Sequence, residues 1–387
     1  MIAIQAQTWQ QLTNFPAVER DDGAFFIIGD KAFCGTGFAP WFAPLNDFYS
    51  FDMNTEIWNT IAALPSGMER QYACGFSSGS KGFIFGGKGN GLLNDLWMYD
   101  TTLNTWTQKT SLPGQGRSGS TCFVINDTAY IIGGIDSLNV AISQVWAYDI
   151  LNDNWHQKNN LNFGARWRAS SVSQNGKGYL IFGKDENGRY CNELVEYNPL
   201  SDSWIQISTF PGNGRTYSSL NSIASDLYTF AGLDSFGTYL SELWRYNYSS
   251  SSWQQLNSIP SKGRKGGMCF NNNSILYYTT GIDSSNTRLN ETWKCTNLTS
   301  ISEYFRNIWS VRIHPNPVIN EFNVELTNIH NGRNIEYNIS DSYGRIVMSN
   351  STNENKIRID ISSFPKGLYF LKMYSNDEFY TIKVVKD

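Results

Sequence analysis

Arginines recur along the chain at nearly constant spacing, and each stands a few residues before a strand-like run. The set consists of Arg20, Arg70, Arg117, Arg166, Arg215 and Arg264. Guanidinium groups bind carboxylates through paired hydrogen bonds, so a ring of these arginines would suit an anionic ligand. Tyr72, Trp167 and Tyr217 lie within two residues of one of them, and Trp41 lies in an unusually aromatic loop. Aromatic faces beside guanidinium groups would suit a sugar ring or an apolar side chain.

The same arginines have a structural alternative. Aspartates recur two residues after a repeated glycine, at Asp136, Asp185, Asp234 and Asp283. These carboxylates could pair with the arginines and neutralise them. An arginine present in every repeat could also brace neighbouring carbonyl groups, so the ligand ring and the brace both remain open.

Signals for other chemistry are weak. The chain has no phosphate-binding loop and no H-E-x-x-H motif. Of its three histidines only His156 precedes the last 80 residues, and the six cysteines include no C-x-x-C pair. We therefore predict no catalytic residue, no metal and no cofactor, and we expect buried free thiols with few or no disulfides.

The elements that must position the arginines repeat about every 49 residues. The first marker is a tryptophan, at Trp9, Trp58, Trp106, Trp155, Trp204 and Trp253. Seventeen residues after each arginine stands a glycine, at Gly37, Gly87, Gly134, Gly183, Gly232 and Gly281. Each unit contains four short strand-like runs separated by polar turns, which is typical of a propeller blade. The aromatic content of 15% then reflects packing between blades.

The repeat resembles the kelch repeat, with Gly86-Gly87 and Gly133-Gly134 ending second strands and a tyrosine and tryptophan following at fixed offsets. The resemblance covers residues 7 to 298 and implies a six-bladed β-propeller. The last unit lacks its outer strand, and the orphan strand at Trp9 would complete it and close the ring. Some kelch-like six-bladed proteins are sialic acid mutarotases, and an arginine-rich mouth is compatible with that activity.

In such blades the segment before strand one and the loop after strand two lie on the same face. We therefore expect the arginines and the loops after the marker glycines at one mouth of the central channel, with Glu69 and Asp185 as mouth-facing carboxylates. Paired carboxylates for glycoside hydrolysis remain open, because their separation in space cannot be derived from the sequence.

The remaining features concern the net charge, membrane-spanning segments and the boundaries of the domains. A net charge of −4 disfavours nucleic acid as a partner, and no apolar run is long enough to span a bilayer. We interpret residues 1–6 as the remnant of a signal peptide, residues 299–310 as a linker, and residues 311–387 as a small antiparallel immunoglobulin-like β-sandwich. The predicted fold class is thus all-β.

The tail resembles the type A sorting domain of the type IX secretion system. The matching residues are Pro315-Asn316-Pro317, Asp341 to Arg345 with Gly344, Ile359 to Ile361, Lys366 to Tyr369 with Gly367, and Lys383. The resemblance implies a signal peptide, export through the periplasm and handling by the secretion machinery of a Gram-negative bacterium. The alternative is a plain accessory domain.

Together these features predict a secreted or cell-surface binding module for a glycan or a protein, with the ligand at the arginine-bearing mouth. The alternative is a mutarotase or epimerase acting on an acidic sugar such as sialic acid.

Overall fold

The computed structural model describes residues 7–272, 274–298, 310–327, 335–342, 344–375 and 378–387. Regular structure in these residues consists of β-strands, which fall into two compact units. The all-β fold class is confirmed. The predicted signal-peptide remnant at residues 1–6 and residues 299–309 of the predicted linker lie outside the described residues.

The first unit is a ring of six four-stranded antiparallel sheets. The chain begins with β1 (Thr8–Leu12) and then forms blade 1 from β2 (Ala24–Ile28), β3 (Lys31–Gly35), β4 (Phe48–Asp52) and β5 (Ile57–Ile61). Blade 2 contains β6 (Cys74–Ser78), β7 (Lys81–Lys88), β8 (Leu92–Asp100) and β9 (Thr105–Lys109). Blade 3 contains β10 (Thr121–Ile125), β11 (Thr128–Ile132), β12 (Val145–Asp149) and β13 (Asn154–Lys158).

The remaining blades follow the same plan. Blade 4 contains β14 (Ser170–Gln174), β15 (Lys177–Ile181), β16 (Glu193–Asn198) and β17 (Ser203–Thr209). The next repeat forms β18 (Arg215–Thr216), β19 (Ser219–Ile223), β20 (Asp226–Phe230), β21 (Leu233–Asp234), β22 (Leu243–Asn247) and β23 (Ser252–Leu256). The last repeat forms β24 (Arg264–Lys265), β25 (Met268–Asn271), β26 (Leu276–Thr279), β27 (Ile282–Asp283) and β28 (Thr292–Thr296). The two-residue strands pair as small ribbons, β18 with β21 and β24 with β27.

The ring closes through both ends of this unit. β1 pairs antiparallel with β28, so that Trp9 lies opposite Cys295 and the N-terminal strand forms the outer edge of blade 6. First strands of consecutive blades contact one another around the ring, including β2 of blade 1 with β25 of blade 6. They line a central cavity of about 380 Å³.

Repeated aromatic residues join each blade to its neighbour. The Trp106 indole N–H donates to the Ala62 carbonyl at 2.8 Å, and the Trp155 indole N–H donates to the Thr110 carbonyl at 2.8 Å. Trp106 also packs against Tyr99 of its own blade and Phe48 of the preceding one, with centroid distances of 5.1 and 4.8 Å. The aromatic excess of the sequence is therefore used largely in contacts within and between blades.

The second unit consists of two facing sheets. Its strands, in chain order, are β29 (Ser310–His314), β30 (Glu321–Thr327), β31 (Ile335–Asp341), β32 (Ile346–Thr352), β33 (Lys356–Asp360), β34 (Gly367–Ser375) and β35 (Glu378–Lys386). β29, β30 and β33 form a three-stranded sheet, and β31, β32, β34 and β35 form a four-stranded sheet. Side chains from both sheets share one buried core that includes Phe322, Ile339 and Leu371. This arrangement is the predicted small antiparallel sandwich.

Candidate functional site

The six repeated arginines are buried, with exposed fractions of 0 to 4%. Each guanidinium contacts a carboxylate or amide at or just before the third strand of its own blade. The pairs are Arg20–Asp47 at 2.6 Å, Arg70–Asp95 at 2.8 Å, Arg117–Gln144 at 2.8 Å, Arg166–Glu193 at 3.2 Å, Arg215–Glu242 at 2.6 Å and Arg264–Glu291 at 2.7 Å. Because these side chains point into the blades, their geometry fits the bracing alternative, and they do not form a guanidinium ring facing the channel mouth.

The backbone of each arginine also joins adjacent blades. The Gly134 N–H donates to the Arg166 carbonyl of the next blade at 2.8 Å, and the Gly281 N–H closes the ring by donating to the Arg20 carbonyl at 2.8 Å. These marker glycines are left-handed, with φ of 100° at Gly134 and 102° at Gly281. A Cβ at Gly134 would lie 2.5 Å from Ser120 Oγ, so a larger residue is both strained and crowded there. The repeated arginine and glycine are thus two halves of one inter-blade contact.

The recurring aspartates serve their own loops. Asp234 Oδ1 accepts from the N–H groups of Phe236 and Thr238 at 2.9 and 2.8 Å. Asp136 Oδ1 accepts from Leu138 N–H at 2.9 Å and Val140 N–H at 3.0 Å. The pairing of these aspartates with the repeated arginines, one of the alternatives left open by the sequence, is therefore not the arrangement found among the described residues. The partners that the arginines do use follow them by 25 to 27 residues, a regular spacing that the sequence contains and that could have identified them.

The residues two positions after each arginine form the inner rim of the mouth. All are left-handed, with φ between 57° and 68° at Asp22, Tyr72, Gly119, Arg168, Tyr217 and Gly266. Their backbones are linked from blade to blade by N–H to carbonyl bonds. The Asp22 N–H donates to Gly266 at 2.6 Å, and the Arg168 N–H donates to Gly119 at 2.9 Å. We call these six residues the inner ring.

Four side chains of the inner ring converge on the channel axis. Asp22 of blade 1 and Arg168 of blade 4 belong to opposite blades, and Arg168 Nη2 donates to Asp22 Oδ1 at 2.9 Å. The Arg168 guanidinium lies over the Tyr72 ring at 3.6 Å and the Tyr217 ring at 4.3 Å. Trp167 contacts Tyr217 edge-on at 5.8 Å. The predicted Tyr72, Trp167 and Tyr217 are thus brought together around Arg168, which is not one of the six repeated arginines.

We call the four converging side chains, Asp22, Tyr72, Arg168 and Tyr217, the plug. The glycines of the inner ring leave space beside it. Gly119 and Gly266 occupy the two positions without a side chain, and they help to line a cavity of about 100 Å³ next to Arg168 and Tyr217. Arg168 Nε is buried and has no hydrogen-bond partner among the described residues. The mouth is therefore closed by one ion pair held between two tyrosine rings, with a small polar cavity at its side.

Burial dominates the electrostatics of the plug. It raises the pKa of Asp22 from 3.8 to about 7, an effect that Arg168 opposes and Asp21 reinforces. Burial also raises the pKa of Tyr217 to about 12, with the Arg168 charge acting in the opposite direction. Burial therefore shifts the pKa of Asp22 towards the protonated form, and the Tyr217 phenol remains neutral at pH 7.

The raised pKa of Asp22 gives a stability prediction for Asp22→Asn. Between about pH 4 and pH 7 the folded chain keeps a proton that the unfolded chain has lost, so Asp22 lowers stability as the pH rises. The free energy of unfolding of the wild type relative to Asp22→Asn should fall by about 1.4 kcal/mol per pH unit across this window. Urea unfolding followed by tryptophan fluorescence at pH 4, 5, 6 and 7 measures this difference. A difference that stays constant with pH would contradict the assignment.

An outer rim of exposed apolar side chains surrounds the plug. These residues lie on the loops between second and third strands, which pair with the segments after the repeated arginines at contacts such as Asp21 with Phe38. The exposed fractions are 62% for Trp41, 77% for Phe42, 79% for Leu138 and 81% for Phe236. They belong to blades 1, 3 and 5. We call the four residues the aromatic rim, after its aromatic members Trp41, Phe42 and Phe236. Trp41, which the sequence analysis also selected as a ligand-binding residue, therefore lies on the mouth face, but on this rim and not beside Arg168.

The other candidate groups are accounted for locally. Glu69 accepts from the Gly67 N–H at 3.2 Å, and Asp185 binds the backbone and guanidinium of Arg189 in its own loop. His156 lies in outer strand β13 opposite Ala147. All six cysteines are free thiols.

The tail residues that carry the sorting resemblance are held by the last strand. The Asn316 side chain donates to the Lys383 carbonyl at 2.8 Å and accepts from the Val385 N–H at 2.9 Å, which fixes the Pro315–Pro317 segment against β35. The Tyr369 hydroxyl donates to the Pro365 carbonyl at 2.8 Å. Gly344, with φ of 82°, lies in the turn between β31 and β32, and Gly367 begins β34 opposite Lys386.

Comparison with known proteins agrees with both units. Residues 24–213 match the KLHDC2/KLHL20/DRC7 kelch-repeats domain, and residues 214–260 match the kelch motif. Residues 312–387 match the secretion system C-terminal sorting domain. The chain is a kelch-repeat propeller followed by a type IX secretion sorting domain.

Named relatives of this kelch propeller include N-acetylneuraminate epimerases. The protein of Shigella sonnei (strain Ss046) is 30% identical over 122 residues, and that of Escherichia coli (strain K12) is 29% identical over 122 residues. The match covers 30% of this chain and 32% of each relative, so the chain spans about a third of the length of the curated relatives. A solved structure titled "Structure of YjhT" covers 73% of this chain and 95% of its own, with a TM-score of 0.63 and 18% identity. At that identity the likeness supports the fold alone.

The sorting domain also gives the destination of this kelch propeller. Its presence indicates export to the surface or the outside of a Gram-negative bacterium, with handling by the secretion machinery. Among the described residues, no helix is long and apolar enough to cross a membrane.

Proposed function

We propose that the secreted propeller is a binding module that recognises a glycan at its mouth. The observation that carries this proposal is the aromatic rim, in which Trp41, Phe42 and Phe236 are mostly exposed on the face that also holds the plug. Large aromatic side chains usually bury their surface, so several exposed ones around a polar centre favour a contact surface. Aromatic faces can cover the apolar faces of sugar rings, while polar groups bind their hydroxyls.

The charge of the mouth supports a polar ligand of low charge. The repeated arginines are buried against their partners within the blades, and Arg168 is balanced by Asp22 at 2.9 Å. Beside the plug, Arg288 Nε donates to Asp21 at 2.6 Å. A ligand at the mouth therefore meets hydrogen-bonding groups and aromatic faces rather than a strong field of one sign.

A glycan array with the intact chain tests the proposal. We expect binding to a defined set of glycans and a loss of at least about fivefold in affinity for Trp41→Ala/Phe236→Ala, because aromatic contacts contribute about 0.5–1.5 kcal/mol each. The matched control is Leu103→Ala/Leu200→Ala, which removes apolar side chains that are 69% and 96% exposed in turns of the opposite face. No glycan binding by the wild type, or binding only on a parallel surface-protein array, would contradict the proposal.

A second candidate function is anomer exchange of an acidic sugar such as sialic acid. It is favoured by Asp22, whose pKa of about 7 suits proton transfer near neutral pH and which lies beside Arg168, a carboxylate-binding group. The partial similarity to N-acetylneuraminate epimerases points the same way. In this scheme Asp22 would exchange a proton with the sugar while Arg168 bound the ligand carboxylate.

NMR of sialic acid separates the two candidates. With the purified intact chain, anomer exchange faster than in buffer, and slowed at least about a hundredfold by Asp22→Asn, would support the second candidate. An exchange rate equal to that in buffer would exclude the second candidate and leave glycan binding as the remaining one.

A further inference from the structure

A separate cleft lies between blades 4 and 5 on the face opposite the mouth. It has a volume of about 270 Å³. Pockets for drug-sized ligands usually have volumes of about 300 Å³ or more, so this cleft is slightly smaller. Its lining consists of Gln174, Asn175, Lys177, Tyr179, Glu196, Ser225 and Tyr248. Tyr179 and Glu196 come from strand interiors, while the others lie at strand ends or in the turns beyond them, so the cleft opens where the turns of the two blades meet. Its size suits one small ring.

The cleft is built by departures from the repeat. The position of Glu196 in the third strand is occupied by Ser50, Met98 and Ala147 in blades 1 to 3. In blades 5 and 6 it is occupied by Arg245 and Lys294, whose ion pairs with Asp226 and Glu56 each measure 2.7 Å. Glu196 is buried, and Lys177, at 3.9 Å, is more distant than those partners. A buried carboxylate is costly to keep unless its oxygens are satisfied, so this position calls for partners that the other blades do not need.

Two tyrosines donate hydrogen bonds to the Glu196 carboxylate and form walls of the cleft. The Tyr179 and Tyr248 hydroxyls donate to the same oxygen, Glu196 Oε2, at 3.1 and 2.9 Å. Their rings meet edge-on with centroids 6.1 Å apart. Tyr248 belongs to blade 5 and is 42% exposed, so it forms one open wall over the carboxylate of blade 4. An aromatic wall beside a carboxylate is a combination that binds a hydroxylated ring.

The hydrogen-bond inventory of the cleft identifies what is missing. Gln174 donates through Nε2 to the Ala224 carbonyl at 3.1 Å, while its Oε1 is buried and has no partner among the described residues. Among the described residues, the charged partner of Glu196 Oε1 is the ammonium of Lys177, at 3.9 Å. Because Gln174 Oε1 has no exposed surface, the cleft offers a ligand one acceptor that lacks a close donor, Glu196 Oε1. A neutral ligand fits the charge, because Lys177 balances Glu196 and Arg245 balances Asp226.

We infer that this cleft is a second ligand site, which takes one neutral hydroxylated ring such as a saccharide unit. A ligand hydroxyl donates to Glu196 Oε1, and the ring packs against the exposed Tyr248. The site shares no residue with the plug or the aromatic rim. It therefore goes beyond the proposed function and stands whether or not the mouth binds a glycan.

Saturation-transfer NMR with the intact chain tests this site. The probes are methyl glycosides of glucose, galactose and mannose, with methylammonium as the cationic comparison. We expect transfer to at least one glycoside and a loss of at least about tenfold in affinity for Glu196→Gln, because a hydrogen bond to a charged acceptor is replaced by one to a neutral amide. Tyr248→Ala should weaken binding by about threefold to tenfold, since it removes the aromatic wall against which the ring packs.

The controls separate this site from the mouth. Leu200→Ala changes an exposed side chain on the same face as the cleft and should leave transfer unchanged. In the Trp41→Ala/Phe236→Ala background, which removes any contribution of the mouth, the loss caused by Glu196→Gln should persist. Near-ultraviolet circular dichroism reports whether each variant is folded; if Glu196→Gln does not fold, Tyr248→Ala decides. Absence of transfer to every glycoside, transfer unaffected by both cleft variants, or stronger binding of methylammonium than of any glycoside would overturn the inference.

Discussion

Replacement of Arg70 by Met should lower the free energy of unfolding by about 3–5 kcal/mol, because it strands a carboxylate inside blade 2. Arg70 is fully buried and donates to both oxygens of Asp95 at 2.8 Å. It also donates to the Met68 and Gly86 carbonyls at 3.0 and 3.1 Å. Once the guanidinium is removed, Asp95 keeps the Trp97 indole N–H at 2.7 Å as its remaining side-chain donor. Urea unfolding followed by tryptophan fluorescence measures the loss.

The matched control is Arg189→Met. Arg189 pairs with Asp185 and Glu193 at 3.0 and 2.6 Å, but its side chain is 51% exposed. Exposed ion pairs contribute about 0–1 kcal/mol, so this variant should change stability little. If Arg70→Met were no more destabilising than Arg189→Met, the arginines would not act as braces, and a ligand role for them would return.

Deletion of residues 311–387 should abolish delivery to the cell surface and leave the propeller in the periplasm. This removes the sorting domain but no residue of the propeller blades. Immunoblotting of periplasmic, outer-membrane and medium fractions in a Gram-negative host with type IX secretion measures the distribution. We expect essentially all of the truncated chain in the periplasmic fraction.

A milder variant tests the same assignment without removing strands. Asn316→Ala removes both hydrogen bonds that fix the Pro315–Pro317 segment to β35, and it should reduce surface delivery while leaving the two sheets in place. The comparison variant is Lys356→Ala, whose side chain is 77% exposed and lies outside the segments that carry the sorting resemblance. Normal surface delivery of the truncated chain would refute the sorting role.

The sequence predicts the architecture well because the repeat markers are structural. The marker glycines need a left-handed backbone, and the repeated tryptophans bind neighbouring blades through their indole N–H groups. The left-handed glycine recurs in every blade and the indole contact in four of the six, so they leave a period that can be counted. The same regularity explains why the arginines were ambiguous, since a brace and a ligand ring recur with equal regularity.

The mouth was harder to predict because it depends on opposite blades. Asp22 and Arg168 are 146 residues apart in the chain and meet only after the ring closes. The inner ring holds a different side chain in most blades, so no repeated signal marks it. Tyr72, Trp167 and Tyr217 were selected by proximity to an arginine in sequence, yet the arginine that they surround is Arg168.

The crystal structure of the intact chain with a glycan identified on the array tests the central claim most directly. The mouth assignment predicts ligand density over the plug, in contact with Arg168 or Tyr217 and covered by at least one residue of the aromatic rim. Density that contacts neither the plug nor the rim, with the mouth side chains unchanged, would contradict it.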